Sequence, residues 1–346
     1  MHTHASKRAR SRASKSSRKS RAARWTRVAL AAAPLLGAGA LATPAVAHDH
    51  HRATVYTFDT LNNQADPTFN QLLGINQHGL IAGYFGSGAA GHPNKGYLLS
   101  TAYGQGQYRS ENWPVSTQTQ VTGLNDEGVT VGFWSSMNNA AVGNNPPVND
   151  NRAFVSDKGY FIDGDFPTSS PAATPVDQLL GVNDNNIAVG FYNDASGATH
   201  AYRFDIRRNA FREITPAGIT NPTAAAINNR NEIAGFGTGT DGTVVGYLLR
   251  RDGQLTVLSV PGSSMTQALG INDRDEVVGV YQVGTGSSAQ MHGFTWTPQH
   301  GFHSVDDPNG VGTTTINGVN DRGDLVGFYT DGAGNTDGLL ATPADR

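Results

Sequence analysis

Along most of the chain, short stretches of alternating apolar and polar residues are separated by Gly, Asn, Asp and Pro. Period-two alternation predicts half-buried β-strands, and the punctuating residues predict turns. Glu276-Val277-Val278-Gly279-Val280-Tyr281 is one such strand. The pattern then repeats as a whole. Leu73-Gly74-Ile75-Asn76 leads through Gly79 to Ile81-Ala82-Gly83-Tyr84-Phe85, and Gly123-Leu124-Asn125-Asp126 through Gly128 to Val131-Gly132-Phe133-Trp134. Four further copies centre on Asn183, Asn228, Asn272 and Asn320. The key Asn recurs at spacings of 49, 58, 45, 44 and 48 residues.

Each copy predicts four strands. The first ends just before the Asn. Asn-Asp-x-Gly makes the turn, because Asn and Asp tolerate left-handed backbone angles and cap their own loop. The second strand carries the Gly-aromatic pair. The third is centred on an aromatic or Leu, as in Gly96-Tyr97-Leu98-Leu99 and Gly293-Phe294-Thr295-Trp296. The fourth is often closed by Pro, as at Pro167, Pro216, Pro261 and Pro308. Four strands in about 45 residues is the arithmetic of a propeller blade, whereas solenoid coils are shorter, roughly 20–30 residues. The sixth copy stops after its third strand near Pro343, and an orphan strand, Val55-Tyr56-Thr57-Phe58, precedes the first copy. Pairing the two would close a ring and remove an exposed edge. The expected fold is all-β: a six-bladed β-propeller over residues 53–343, closed by its N-terminal strand. Two separate three-unit β domains are the alternative, but no linker divides them.

Composition narrows the chemistry. The 346 residues include 42 Gly and no Cys, which excludes a disulfide framework, a thiol nucleophile and a Cys-ligated metal. The net charge of −3 hides a segregation. Ten of the 25 Lys and Arg lie in residues 1–47, which hold no Asp or Glu; the other 15 face all 28 acids, a net −13. An acidic body of this kind is a poor partner for nucleic acid or an anionic membrane surface. After Arg27, the apolar run Val28–Leu41 ends at Pro44 and Ala45-Val46-Ala47. A basic region, a short apolar run and an A-x-A site predict a secretory signal over 1–47. The run is too short for a comfortable permanent span, so no stable membrane anchor is expected after cleavage. The mature chain is expected in the medium or the periplasm, as a monomer.

The unit Gly-Ile-Asn-Asp-x-Gly-x-Val-x-Gly-Phe-Tyr, followed by His-Gly-Phe and a strand ending in Asp-Pro, resembles the bacterial extracellular HAF-repeat proteins. The fifth copy shows it in Gly270–Tyr281, His292-Gly293-Phe294 and Val305-Asp306-Asp307-Pro308. The resemblance covers the whole mature chain. It implies a secreted, propeller-like protein and carries no defined reaction or catalytic set. The fourth copy departs most, with Gly237 in place of an aromatic and Val245 before its Gly-Tyr.

Candidate chemistry is sparse. The Asn-Asp-x-Gly loops offer oxygens spaced as Ca²⁺ likes them, but too few per loop, and a hairpin turn accounts for them. Gln71, Gln120, Gln178 and Gln267 recur five residues before the key Asn, with Thr223 and Thr315 in the other copies. On innermost strands these would form a polar ring at one channel mouth. With Trp134 at the base of the long 135–151 connection, they are the candidate ligand-binding residues, for a glycan or a protein. The same amides suit hydrogen bonds between blades. A mature terminus His48-Asp49-His50-His51 would present an amine and His50 to Cu²⁺ or Ni²⁺ if the cut falls after Ala47, making His48 and His50 the candidate metal residues. No organic cofactor is expected. The variable loops hold Asp194, Asp241 and Asp331 but no repeated acid–base pair. No Gly-x-Ser-x-Gly elbow, phosphate loop or His-Glu-x-x-His is present. The expected function is a secreted binding propeller, and the alternative is a propeller enzyme, hydrolase or lyase, acting on an extracellular polymer.

Overall fold

The structure, a computed structural model, describes residues 54–136, 150–168 and 175–344. The expected export signal over residues 1–47, His48 and His50, and residues 137–149 of the long connection lie outside the described residues. Within them the fold is all-β, built of four-stranded antiparallel sheets.

The first sheet runs Asn70–Ile75, Ile81–Phe85, Lys95–Leu99 and Tyr108–Ser110. The second runs Gln118–Leu124, Val129–Ser135, Arg152–Asp157 and Tyr160–Asp163. The third runs Asp177–Val182, Ile187–Asn193, Thr199–Asp205 and Ala210–Ile214. The fourth holds Thr220–Ile227, Ile233–Thr238, Val244–Leu249 and Leu255–Leu258. The fifth holds Met265–Ile271, Val277–Val283, Gln290–Thr297 and Gly301–Val305. These two are joined by a single parallel bridge, Val244 to Met265. The sixth holds Thr315–Val319, Leu325–Thr330 and Thr336–Pro343. Its outer strand is Tyr56–Thr60, paired antiparallel to Thr336–Pro343 over five positions. Tyr56 and Phe58 pack against the buried cluster of the sixth sheet, which includes Leu325, Leu339 and Ala341.

Why the repeat reads Gly-aromatic, then an aromatic third strand, follows from one contact. A Cβ on Gly132 would lie 2.0 Å from the carbonyl oxygen of Gln120 and 2.9 Å from the Phe154 ring. Gly279 meets the Gln267 carbonyl and the Phe294 ring in the same way. The inner strand presses on the second strand here, and the ring of the third strand covers the bare backbone. Tyr97, Tyr202, Tyr247, Phe154 and Phe294, all from third strands, are almost wholly buried. Burying such a ring contributes about 2–3 kcal/mol, so the third strands hold much of the core.

Every inner strand also carries a β-bulge, between Leu72 and Gly74, Val121 and Gly123, Leu179 and Gly181, Ala224 and Ala226, Ala268 and Gly270, and Ile316 and Gly318. A bulge bends the strand and sharpens its twist. It brings neighbouring inner strands close together: a Cβ on Gly123 would lie 3.0 Å from the Gly181 Cα, and one on Gly181 would lie 2.9 Å from the Ala226 Cα. The six inner strands thus line one narrow axial cavity of about 80 Å³. A second, also about 80 Å³, opens toward the Asn-Asp turns. Ile75, Leu124, Val182, Ile227, Ile271 and Val319 line both and form an apolar collar between them. Each cavity has room for a few waters.

Candidate functional site

The two ends of this axis are built differently. At the Asn-Asp end, each key Asn closes its own turn: Asn76 Oδ1 accepts from the amides of His78 and Leu80, both at 3.0 Å. Its amide then reaches the next sheet. Asn76 Nδ2 donates to the Asn125 carbonyl at 3.1 Å, Asn125 to Asn183, Asn183 to Asn228, Asn228 to Asn272, and Asn272 to Asn320. Asn320 donates to the Asn76 carbonyl at 3.2 Å and completes the cycle. The following residue repeats the device outside it. The Gln77 amide donates to Asp126 Oδ1, and the chain of bonds runs through Asp184, Asn229, Asp273 and Asp321 back to Gln77 Oε1. Each bond is worth about 1 kcal/mol net. The oxygens that suggested Ca²⁺ are held in these two rings.

At the opposite end, Gln71, Gln120, Gln178 and Gln267 do share one register. They stand opposite Tyr84, Phe133, Phe191 and Val280 on the second strands, as Thr223 and Thr315 stand opposite Phe236 and Phe328. Their environments diverge. Gln71 is fully buried and accepts from the Tyr84 hydroxyl at 2.8 Å. Gln178 is buried too. Gln120 is half-buried and donates to Asn94 Oδ1 of the first sheet at 2.9 Å. Gln267 is half-buried, with no side-chain hydrogen bond among the described residues.

Trp134 stands next to Phe133 and so projects from the other face of its strand. It stacks on Trp113, which follows the outer strand of the first sheet, with ring centroids 5.0 Å apart and planes within 3°. The same inter-sheet staple recurs where Phe166 stacks on Tyr192 at 4.5 Å. In the fourth sheet, where Gly237 replaces the aromatic, Ile219 fills the place: a Cβ on Gly237 would lie 2.4 Å from its Cγ2. Sequence reasoning did not anticipate Trp113; its place just after the outer strand was the available signal.

The loop carboxylates cap their own turns. Asp194 Oδ1 accepts from the amides of Ser196 and Ala198, Asp241 Oδ1 from Thr243, and Asp331 Oδ1 from Ala333 and Asn335. The Ser196 hydrogen bond, with His200, holds the Asp194 carboxyl below the ordinary range, and Thr243 does the same for Asp241. A carboxyl held ionised in this way is a poor general acid. His200 pairs with Asp194 at 3.1 Å and stacks on Tyr192; His292 pairs with Asp306 at 2.7 Å and stacks on Tyr281. His92 pairs with Asp66 at 2.6 Å. Among the described residues no three His, Cys, Asp or Glu gather as a metal site. No helix among them is long and apolar enough to cross a membrane.

No protein-family model matches the chain, and no curated protein does. Among solved structures, the chain is similar to a fungal lectin from Aleuria aurantia with a six-bladed β-propeller fold and a fucose recognition mode. The identity is 9% and the TM-score 0.48, over 78% of this chain and 89% of that one. It is similar to a putative TolB from Agrobacterium tumefaciens at 11% identity and TM-score 0.47, over 85% and 100% of the two chains. A streptogramin B lyase matches at 10% identity and TM-score 0.45, over 82% and 98%.

Proposed function

We propose that the chain is a secreted six-bladed β-propeller, its blades the six sheets and its clasp the strand Tyr56–Thr60, and that it works as a binding module. On this reading residues 1–47 are its export signal, and the resemblance of its repeat to the HAF-repeat proteins supports a secreted propeller. The ligand is an extracellular glycan or protein that docks across the Gln end. What carries the reading is the contrast between the ends. At the Asn-Asp end the repeated polar groups are consumed by two closed hydrogen-bond cycles. At the Gln end, Gln120 and Gln267 stay half-exposed, beside the connections that vary most between units. With only about 80 Å³ inside, a sugar or peptide rests on this rim and does not enter the axis.

The test is a glycan array with the parent and a Gln120→Ala, Gln267→Ala double variant, alongside thermal melting. The expected result is lost binding at an unchanged melting temperature. A variant that melts lower but still binds would assign these amides to holding sheets together and end this reading of the Gln end.

A further inference from the structure

A cleft of about 820 Å³ lies between the third and fourth sheets; it shares no lining residue with either axial cavity and is roughly ten times the size of either. Its volume is that of a small-molecule site. Six arginines line it: Arg203, Arg207, Arg208, Arg212, Arg250 and Arg251. The chain beyond its leader has only 15 basic residues, against 28 acids, so this is a sharp local reversal of charge. Three of the six are engaged. Arg208 donates to Asp205 at 2.7 Å, Arg250 pairs with Glu232 at 2.5 Å, and Arg207 faces Glu127 at 3.7 Å. Arg203, Arg212 and Arg251 make no side-chain hydrogen bond or ion pair among the described residues.

At this cleft the third sheet breaks the rule of the repeat. Arg203 stands opposite Val189 on its third strand. The other sheets carry Leu98, Val155, Leu248, Thr295 and Leu340 in that register, and all five are buried. Arg203 is exposed. Its partner on the outer strand is Arg212, directly opposite in register. Like charges so placed repel and destabilise a sheet. The two acids that line the cleft are engaged elsewhere: Asp205 feels the Arg203 charge but is bonded to Arg208, and Glu213 accepts from the Tyr192 hydroxyl. Neither bonds Arg203 or Arg212, and an anion between the two arginines would relieve their repulsion. Local rules broken without a local gain mark functional positions.

We propose that this cleft binds an acidic oligosaccharide, its carboxylates held by Arg203, Arg212 and Arg251. A planar guanidinium matches a carboxylate in a two-bonded fork. Ile187 and Leu249 line the cleft half-buried and offer apolar surface to the C–H faces of the sugar rings. Asn185, Asn231 and Thr215 add neutral polar groups suited to hydroxyls. A nucleic acid fits less well. No aromatic ring lines the cleft to stack a base, and the net −13 body repels a phosphate chain that extends past it. This site is independent of the Gln end.

The test titrates the mature protein with oligogalacturonate, followed by calorimetry and thermal melting. The comparators are a neutral malto-oligosaccharide, an oligo-dT and a polyglutamate peptide of matched length. The key variant is Arg203→Leu with Arg212→Thr, which restores at 203 the residue type of the first, fourth and sixth sheets. Without ligand it should melt at or above the parent, because the repulsion is gone. Its affinity for oligogalacturonate should fall at least about tenfold, since two of the three guanidinium partners are lost. Gln120→Ala with Gln267→Ala should leave this affinity unchanged, which separates the two sites. Equal binding of the neutral sugar would overturn the anionic chemistry. Tighter binding of oligo-dT or polyglutamate would overturn the saccharide. Undiminished binding by the arginine variant would overturn the cleft.

Discussion

The same six inner strands build both ends of the axis, yet only one end is regular. At the Asn-Asp end, six turns of one shape hand each other hydrogen bonds in closed cycles, and substitutions such as Asp to Asn229 or Gln77 keep an acceptor in place. At the Gln end, one register holds four amides and two hydroxyls with different fates, from the buried Gln71 to the half-exposed Gln267. A cycle ties each member to two neighbours, so every copy is constrained. A rim whose residues are not linked to one another is free to diverge.

The comparison breaks first at the seam. The cycles require that the sixth sheet sit beside the first, and the pairing of Tyr56–Thr60 with Thr336–Pro343 completes that sheet. Deleting Val55–Asp59 leaves the edge of Thr336–Pro343 bare and strips Tyr56 and Phe58 from their cluster. The expected loss is several kcal/mol, a large part of the ~5–15 kcal/mol a domain holds. Melting of the deletion variant checks it, and an unchanged midpoint would show that the clasp contributes nothing.

The next effect contrasts the ends directly. Asn183→Ala removes the donor to the Asn228 carbonyl and the acceptor for the amides of Asn185 and Ile187. Leaving one buried and two part-buried groups unpaired should cost about 2–4 kcal/mol. Gln267→Ala should cost less than about 1 kcal/mol. Urea denaturation of the two variants measures the difference, and equal losses would erase the distinction between the ends.

How much of this was legible depends on the residue. The key Asn could be read as a turn residue from its own copy, because its Oδ1 serves its own loop. That its Nδ2 serves the next sheet could not, because the partner lies 44 to 58 residues away, or 244 for Asn320, and is a backbone carbonyl without sequence identity. The orphan strand was legible at Val55–Phe58 and runs Tyr56–Thr60, a shift of the size expected at strand ends. Trp134 was legible as a large aromatic at a loop base, but its partner Trp113 belongs to the preceding copy, so its staple role appears only in three dimensions. The arginine cleft was hidden for a similar reason. Arg203 and Arg212 look like ordinary surface charges until the register sets them opposite each other.

Trp134→Ala sharpens the staple. Losing a half-buried stack on Trp113 should cost about 2–3 kcal/mol, less than a fully buried ring. If the aromatic serves the sheet junction, ligand binding at the Gln end should survive at temperatures where the variant is folded. Trp113→Ala should give the same loss, and the double variant little more, since each substitution removes the same stack. Fully additive losses would show that the two rings act separately.

The smallest effect lies within the Asn-Asp end, where three sheets place an acid four residues after the key Asn. Glu232 and Asp324 are ion-paired to Arg230 and Arg322 at 2.6 and 2.8 Å. Glu276 accepts from Asn272 Nδ2 at 3.1 Å and makes no such ion pair among the described residues. Burial pushes its carboxyl above the ordinary range, against the opposing pull of the Asn272 hydrogen bond. A raised value means the folded state holds the proton more tightly than the unfolded state. Its contribution to stability is therefore complete below the unfolded value and is lost as pH rises through the folded one. Glu276→Gln keeps an acceptor for Asn272 and removes the charge. The variant should match the parent at low pH and exceed it by a small margin at neutral pH, and melting curves across that range read the crossover. A variant less stable at neutral pH than at low pH, relative to the parent, would mean that the ionised carboxylate supports the ring, as it does in the fourth and sixth sheets.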